Sequence, residues 1–564
     1  MSEPLGSLCI VLHAHIPYVL HHGQTPHGEA WLYEAAAESY LPLLDLIGEA
    51  ALHQCRPALT VGLTPVLLEQ LSQPYFKAGM VRYLAEQADL AAADRSNFEH
   101  RQQADLASLA LRWEKWYAER LKHFQRIGRD IPGEFAARAR EGHIQILTGP
   151  ATHAYLPLLL NDETIRAQLA CGTATSHRHL GEVVSAGMWL PECAYRPRVE
   201  NWIPPVLQGE PRTRTGLDTF IAGAGVTHFC VDSALTARAE LLGTMRDGHF
   251  RAAGEAQLHW DAARGWNRSL EPVGVADDPR PPECFALVRH AELSEQVWSS
   301  TTGYPGAGAY LDFHRKHNPG GLRYYKVTDL ATPAADKEPY QPDAVPSKLY
   351  EHGQHFCRQV REILREHRAM LGKPGVCVAA FDAELFGHWW FEGPQFLRDV
   401  IFTLAHDDSV SLMTAEEALR HSPPEKVVRL PEGSWGEGAD HHVWLNEQTR
   451  WMWEVEHRAE RRMLKRLKTL PWQTNDALRG MLERAARELL LLQASDWPFV
   501  VHSKGAVDYG MQRFAGHATR FDRAMQIAEN IAAKAPIGEL ERIQIAEMDA
   551  HDGIFAEIDL NWWT

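Results

Sequence analysis

The chain has no paired-cysteine motif, no long apolar run and no excess of positive charge, and each absence narrows what it can be. Its eight cysteines, Cys9, Cys55, Cys171, Cys193, Cys230, Cys284, Cys357 and Cys377, are scattered and form no CxxC pair. Several fall inside apolar runs, so buried, reduced thiols in the cytoplasm are expected rather than a disulfide framework. No stretch is long and apolar enough to cross a bilayer. The first residues, Met1-Ser2-Glu3-Pro4-Leu5-Gly6, carry no basic segment, and the apolar run after them is broken by His13 and His15, which makes a poor signal peptide. The formal net charge is -16, with pI near 6.0. Such a surface repels phosphate backbones and anionic lipid heads, so neither nucleic acid nor a membrane is the expected partner. A neutral polymer meets no such repulsion. No internal repeat or low-complexity segment is present.

What the chain does have is length and tryptophan. With 564 residues, 45% of them hydrophobic, it can bury a large core, and length alone suggests two to four domains. The 18 tryptophans stand out. Runs such as Trp389-Trp390, Trp451-Met452-Trp453 and Trp562-Trp563 are hard to bury entirely and favour rings lining a groove.

Short apolar runs at 8–13, 58–63, 144–147, 188–190, 227–231, 284–288, 376–381 and 410–413 read as strands. Amphipathic segments at 30–52, 163–184, 347–371 and 394–405 read as helices between them. This alternation predicts an α/β fold with a parallel sheet, and seven or eight such units predict a closed barrel. Residues 74–142, rich in Ala, Arg and Glu, are too long for a strand–helix connection and read as an inserted helical subdomain. After Ser422-Pro423-Pro424 the strand pattern stops, and 440–534 reads as mostly helical. The expected organisation is a catalytic barrel over 1–422, interrupted by the insert at 74–142, and a C-terminal helical domain over 423–564. Residues 232–282 form a long, weakly periodic connection of the kind that serves as a lid.

Barrel active sites gather at the carboxyl ends of the strands. Glu192 follows the fourth predicted strand, Asp382 the seventh, and Asp232 ends the fifth. His13 and His15 end the first, and His153 follows the third. Two carboxylates beside tryptophans suit cleavage of a bond between sugars: one acid attacks or supports the anomeric carbon, the other moves the proton, and flat rings hold the sugar faces. Glu384 competes with Asp382, since residues two apart on a strand share a face. His388 is a further candidate. A rival reading takes His13-Ala14-His15 as two metal ligands, joined by His153 and Asp382, in a metal-dependent hydrolase.

The ordered set of motifs resembles glycoside hydrolase family 57, in particular its 1,4-α-glucan branching enzymes. The stretches that carry the resemblance are Leu12-His13-Ala14-His15-Ile16-Pro17-Tyr18-Val19, Gly149-Pro150-Ala151-Thr152-His153, Trp189-Leu190-Pro191-Glu192-Cys193-Ala194-Tyr195-Arg196-Pro197 and residues 381–393. Gln296-Val297-Trp298-Ser299, Gly303-Tyr304-Pro305-Gly306 and Ser495-Asp496-Trp497-Pro498-Phe499 also match, over nearly the whole chain. The resemblance implies a (β/α)7 barrel with a helical insert and a helical C-terminal domain that closes over it. It implies a retaining mechanism with no metal and no cofactor. Glu192 matches the nucleophile and Asp382 the general acid/base, which selects Asp382 over Glu384. His13 and His153 match substrate-pocket histidines; Trp298, Trp444 and Trp453 match rings along the glucan groove. His15, Trp389 and Asp496 join them as expected substrate-binding residues. The implied reaction cuts α-1,4 and forms α-1,6 links in glycogen-type polymers (amylose, amylopectin or glycogen).

One departure bears on the outcome. The branching members carry a tyrosine near the tip of the loop after the fifth strand, and 232–282 contains none. That loop shields the intermediate from water. His249, Phe250, Trp260 or Trp266 would have to take its place. The alternatives are therefore an α-amylase or 4-α-glucanotransferase on the same scaffold, the metal-dependent hydrolase, and a non-catalytic glucan-binding protein.

Overall fold

The computed structural model describes residues 4–24, 26–254, 269–299 and 301–564. Seven strands form its centre: β1 (Gly6–Ala14), β2 (Leu59–Leu63), β3 (Ile144–Thr148), β4 (Val184–Met188), β5 (His228–Asp232), β6 (Cys284–Arg289) and β7 (Gly375–Asp382). Their apolar runs, dense in Val, Ile, Leu and Cys, suit strands buried on both faces. Every residue of β1 is buried. The strands are parallel and hydrogen-bonded in chain order, and β7 returns to β1 to close the ring. The β1–β7 register runs from Gly6 opposite Gly375 to His13 opposite Asp382, so those two site candidates stand level at the carboxyl-terminal rim. β6 meets β7 at Arg289 and Val378, where the His290 amide donates to the Val378 carbonyl at 2.9 Å.

The structure redraws several expected boundaries. Val410–Leu412 pairs with the start of β1 but lies off the ring, which leaves seven barrel strands. The fourth strand is 184–188, not 188–190. The preceding helix, Asp162–Leu180, stops because Gly181 adopts φ 70° and ψ -147°, a positive-φ conformation that glycine takes without strain. The chain then turns at Pro191, which has no amide proton to continue a ladder, into a 3-10 turn over Pro191–Cys193. A strand, Lys426–Arg429, also follows Ser422, where the strand pattern was expected to have ended. It joins a side sheet made of Val273–Val275, Glu240–Arg246 and His249–Ala252, attached to the barrel at the first residues of β6. His249 and Phe250 sit on the outer strand of this sheet, and Phe250 packs with Met245, Leu242 and Val427. That attachment is at the amino-terminal end of β6, so neither ring is set at the catalytic rim as a tyrosine substitute. Trp260 and Trp266 lie outside the described residues.

Helices Pro74–His100, Ala104–Arg126 and Ile131–Arg140 occupy the stretch between β2 and β3, the first two packed along each other. Beyond the side sheet the chain runs through helices Arg450–Thr469, Asp476–Leu492, Asp496–His502, Val507–Ala532 and Glu539–His551. The helix after β1 is not uniform. It is α-helical over Glu29–Ala35, widens to a π-turn at Ala36–Tyr40, and resumes over Leu41–Leu52. A π-turn admits an extra residue and re-aims its side chains. Here it faces the loop after β7: the His388 amide donates to Ser39 Oγ at 3.1 Å, and Tyr40 donates to Glu384. Gly387, at φ 116°, lets the backbones meet, since a Cβ there would lie 1.7 Å from the Glu38 carbonyl oxygen. All eight cysteines are buried and unpaired, and no described helix is long and apolar enough to cross a membrane.

Candidate active site

The carboxyl-terminal rim collects side chains from β1, the loop after β3, the turn after β4, the end of β7 and the C-terminal helices. Glu192 sits in the Pro191–Cys193 turn with φ 60° and ψ 21°. His153 (φ 58°) and Cys193 (φ 47°) are also left-handed. Non-glycine residues in this region cost about 1 kcal/mol or more each, and such strain concentrates where a side chain must be aimed. Both oxygens of Glu192 are held. Oε2 accepts from Trp435 Nε1 at 2.9 Å, and Oε1 accepts from Ser495 Oγ at 2.9 Å. The Trp435 amide also donates to the Glu192 carbonyl at 3.0 Å.

Ser495 is aimed by a chain of imidazoles. His153 Nδ1 lies 2.8 Å from Ser495 Oγ, and His153 Nε2 lies 2.9 Å from His13 Nε2. Because Ser495 donates its proton to Glu192, His153 Nδ1 must donate to Ser495. His153 Nε2 is then the acceptor and His13 Nε2 the donor, which leaves His13 Nδ1 without a proton. That atom is then a hydrogen-bond acceptor, and it has no partner among the described residues. Burial, reinforced by the charge of neighbouring His15, keeps both imidazoles well below the usual histidine range and therefore neutral. The rings of His13 and Trp189 stack at 4.7 Å, and those of His15 and His153 at 4.0 Å.

His15 behaves differently. Burial opposes its protonation, but Asp496, bonded at 2.9 Å, together with Glu384 and Glu192, outweighs it and raises its pKa. Its other nitrogen meets Thr64 Oγ1 at 3.0 Å, and its amide donates to Glu384 Oε1 at 3.0 Å. The rival metal arrangement does not assemble as its sequence spacing suggested: His13 turns to His153 instead of sharing a point with His15. At the rim, the ligand atoms of His15, His153 and Asp496 come within 4.8 Å of one another; a second such set among the described residues, Glu488, His517 and Asp552, is fully buried elsewhere.

Asp382 ends β7, and Glu384 falls in the 3-10 turn Ala383–Leu385 after it, so the two do not share a strand face. Glu384 is buried and engaged by Tyr40 and the His15 amide; it is a strut. Asp382 has no side-chain donor among the described residues. Burial, then the charges of Glu384, Glu192 and Asp496, push its pKa well up, against the opposing pull of Arg289. Burial also raises Glu192, to about 7, with Asp496 adding to it, while the Trp435 and Ser495 hydrogen bonds and His15 hold it back. Among neighbouring carboxyls, the one with donors ionises and the one without keeps the proton. The surroundings of Glu192 therefore favour the ionised form relative to those of Asp382.

The remaining candidates separate. Asp232 pairs with Arg289 at 2.7 Å and caps the following turn through the Ala234 amide, a structural position. His388 meets Glu38 at 2.8 Å. Trp298 and Trp389 are 41% and 39% exposed, their rings edge-to-face at 5.7 Å. Trp444 and Trp453, expected along the groove, are only 1% and 2% exposed. They belong to a core cluster with Tyr155, where Trp453 Nε1 donates to the Trp444 carbonyl at 2.9 Å. The tryptophan runs split: Trp389 and Trp451 are half-exposed, whereas Trp390 and Trp563 are buried. Trp435 was missed in the sequence. Its only signal is a lone tryptophan in the turn Gly433-Ser434-Trp435-Gly436. Its ring packs edge-on to Trp189 at 5.3 Å, under the Arg289 guanidinium at 5.6 Å.

The sequence matches the family model Glycosyl hydrolase family 57 over residues 9–258, and the model 1,4-alpha-glucan branching enzyme, C-terminal, over residues 456–563. A 1,4-alpha-glucan branching enzyme of Thermococcus kodakarensis is 34% identical over 554 residues, covering 98% of this chain and 78% of that protein. A probable 1,4-alpha-glucan branching enzyme of Mycobacterium tuberculosis is 31% identical, covering 98% and 97%. The crystal structure of a GH57-type branching enzyme from Pyrococcus horikoshii superposes with TM-score 0.87 at 34% identity, covering 99% of this chain and 97% of that one. An α-amylase from Thermotoga maritima superposes with TM-score 0.80 at 26% identity, covering 99% of each. The chain belongs to glycosyl hydrolase family 57.

Proposed function

We propose that this chain is a retaining 1,4-α-glucan branching enzyme that acts on amylose-, amylopectin- or glycogen-type polymers in the cytoplasm, with Glu192 as nucleophile and Asp382 as general acid/base. The carrying observation is the asymmetry of the two carboxyls. Glu192 accepts from Trp435 and Ser495, while Asp382 has no side-chain donor among the described residues and feels the charges of three other carboxylates. Relatives of nearly the full length that are named branching enzymes support the reaction class.

In this reading Asp382 gives its proton to the glycosidic oxygen as Glu192 forms a bond to the anomeric carbon and the reducing-end segment leaves. The glycosyl ester on Glu192 then meets a glucan 6-hydroxyl. Asp382 takes the hydroxyl proton, the new C–O bond forms with overall retention, and Glu192 leaves as the anion. Retention calls for carboxyl groups about 5–5.5 Å apart. His15, paired with Asp496, supplies positive charge near the departing segment, and Trp298 and Trp389 offer faces to the chain. Residues 423–564 contribute Trp435, Ser495 and Asp496 to the rim. Hydrolysis is the second reading, favoured by the tyrosine-free stretch 232–282.

The residue roles are tested with α-glucosyl fluoride, a donor that needs no acid, and azide. The Asp382→Ala variant should turn over the fluoride and yield an α-glycosyl azide; Glu192→Ala should yield only β-azide. The opposite anomers, or α-azide from both, would refute the assignment.

A further inference from the structure

A second cavity, of about 590 Å³, lies between the loop after β1 and the helix Val507–Ala532. The helix contributes Tyr509, Gln512, Arg513, Gly516 and Arg520, which share one face, and the loop contributes His27. The volume is in the range of small-molecule sites. Three polar atoms of its lining residues have no partner among the described residues: Tyr509 Oη, Arg513 Nε and His27 Nδ1. Tyr509 is 9% exposed and Arg513 3%. Groups so deeply buried without a partner are costly to a fold unless something else satisfies them.

We infer that this cavity is a second binding site for an α-1,4-glucan segment, separate from the catalytic pocket. The inference rests on the glucan reading above. Of the cavity's two guanidiniums, Arg520 is matched by carboxylates, whereas the partners Arg513 bonds are neutral. Arg520 Nε ion-pairs with Asp552 at 2.7 Å and Glu488 at 3.2 Å, and Arg513 donates to the Tyr18 carbonyl at 2.8 Å and to His517 at 2.8 Å. What remains are a hydroxyl, a guanidinium N–H and an imidazole nitrogen beside flat rings, with His27 and Tyr509 6.1 Å apart. Sugar hydroxyls donate and accept at once, and their apolar faces lie on rings, so a neutral oligosaccharide suits a lining of this kind. The cavity is also coupled to the catalytic rim. Arg513 covers the ring of Trp497 at 5.4 Å, and Trp497 follows Asp496 in the chain.

The test is calorimetric titration of maltohexaose into the Glu192→Gln protein, which retains the substrate without turning it over. Two sites are expected. Gly516→Leu, added to Glu192→Gln, should fill the cavity and leave one. A Cβ at Gly516 first meets the flexible end of Arg520 at 3.3 Å, and a helical glycine gains propensity on replacement. Tyr509→Phe, which removes only the hydroxyl, should weaken the second site about fivefold, the worth of one hydrogen bond. In the active enzyme both cavity variants should raise KM for amylose several-fold and leave kcat unchanged. A single site indifferent to both substitutions would overturn the inference and leave the glucan reading standing; no binding at all would overturn both. Inorganic phosphate that occupies the cavity, lost in Gly516→Leu, with maltohexaose showing one site throughout, would make it an anion site and overturn the inference.

Discussion

Replacing Trp435 by phenylalanine isolates one hydrogen bond. The ring against Trp189 and beneath Arg289 is largely kept, while the N–H that donates to Glu192 Oε2 at 2.9 Å is lost. A hydrogen bond to a charged acceptor contributes about 1.5–3 kcal/mol, and one pKa unit corresponds to about 1.4 kcal/mol, so the Glu192 pKa should rise by about one to two units. It stands at about 7 with both donors present. Since Glu192 must be ionised to attack, the acid limb of kcat/KM against pH reports its titration in the free enzyme. That limb should move upward by the same one to two units, and activity at pH 6 should fall about 10- to 100-fold, with most of it recovered at higher pH. The assay is the pH profile of kcat/KM on a maltooligosaccharide for both proteins, with thermal melting to verify the fold. An acid limb that does not move would refute the claim that Trp435 sets the charge state of the nucleophile.

Burial raises the pKa of both Glu192 and Asp382, so for each the native state binds more protons than the unfolded chain between its unfolded and folded values, and stability falls as pH rises through that window. For Glu192, the rise from 4.5 to about 7 costs at most about 3 kcal/mol above pH 7, so Glu192→Gln should abolish turnover yet melt higher than the parent at pH 8 and nearly level with it at pH 4; a lower melting point at pH 8 would contradict this. Trp453→Ala should destabilise by about 3–5 kcal/mol, because the ring is a core side chain, and soluble variant should keep its apparent affinity for amylose; weakened affinity without lost stability would return Trp453 to the groove. Dialysis against a chelator should leave turnover unchanged, and a stoichiometric zinc ion required for activity would instead point to His15, His153 and Asp496.

The barrel was legible because its strands are short apolar runs with long amphipathic gaps, and the rim residues were legible because they follow those runs directly. His13 and Asp382 are level in the β1–β7 register for that reason. The ends of the fourth strand were not, since a positive-φ Gly181 and a turn at Pro191 decide them, and apolar periodicity carries neither signal. The proton order of the two acids was implied by the resemblance, but its physical basis was out of reach. It depends on Trp435 and Ser495, which are 243 and 303 residues from Glu192 in the chain and meet it only through the fold. Trp444 and Trp453 show the converse: a tryptophan in sequence carries no mark of which side of the groove wall it faces, and packing against Tyr155 turned both inward. The π-turn at Ala36–Tyr40 sits inside a helical pattern read as continuous, because one extra residue per turn is too small a change in period to see.

The most direct test of the central claim is incubation of the purified protein with linear amylose, following the α-1,6 anomeric proton signal by NMR and counting new reducing ends in the same samples. The account predicts a growing α-1,6 signal with few new reducing ends. Rising reducing ends without α-1,6 signal would contradict it and make the protein a hydrolase.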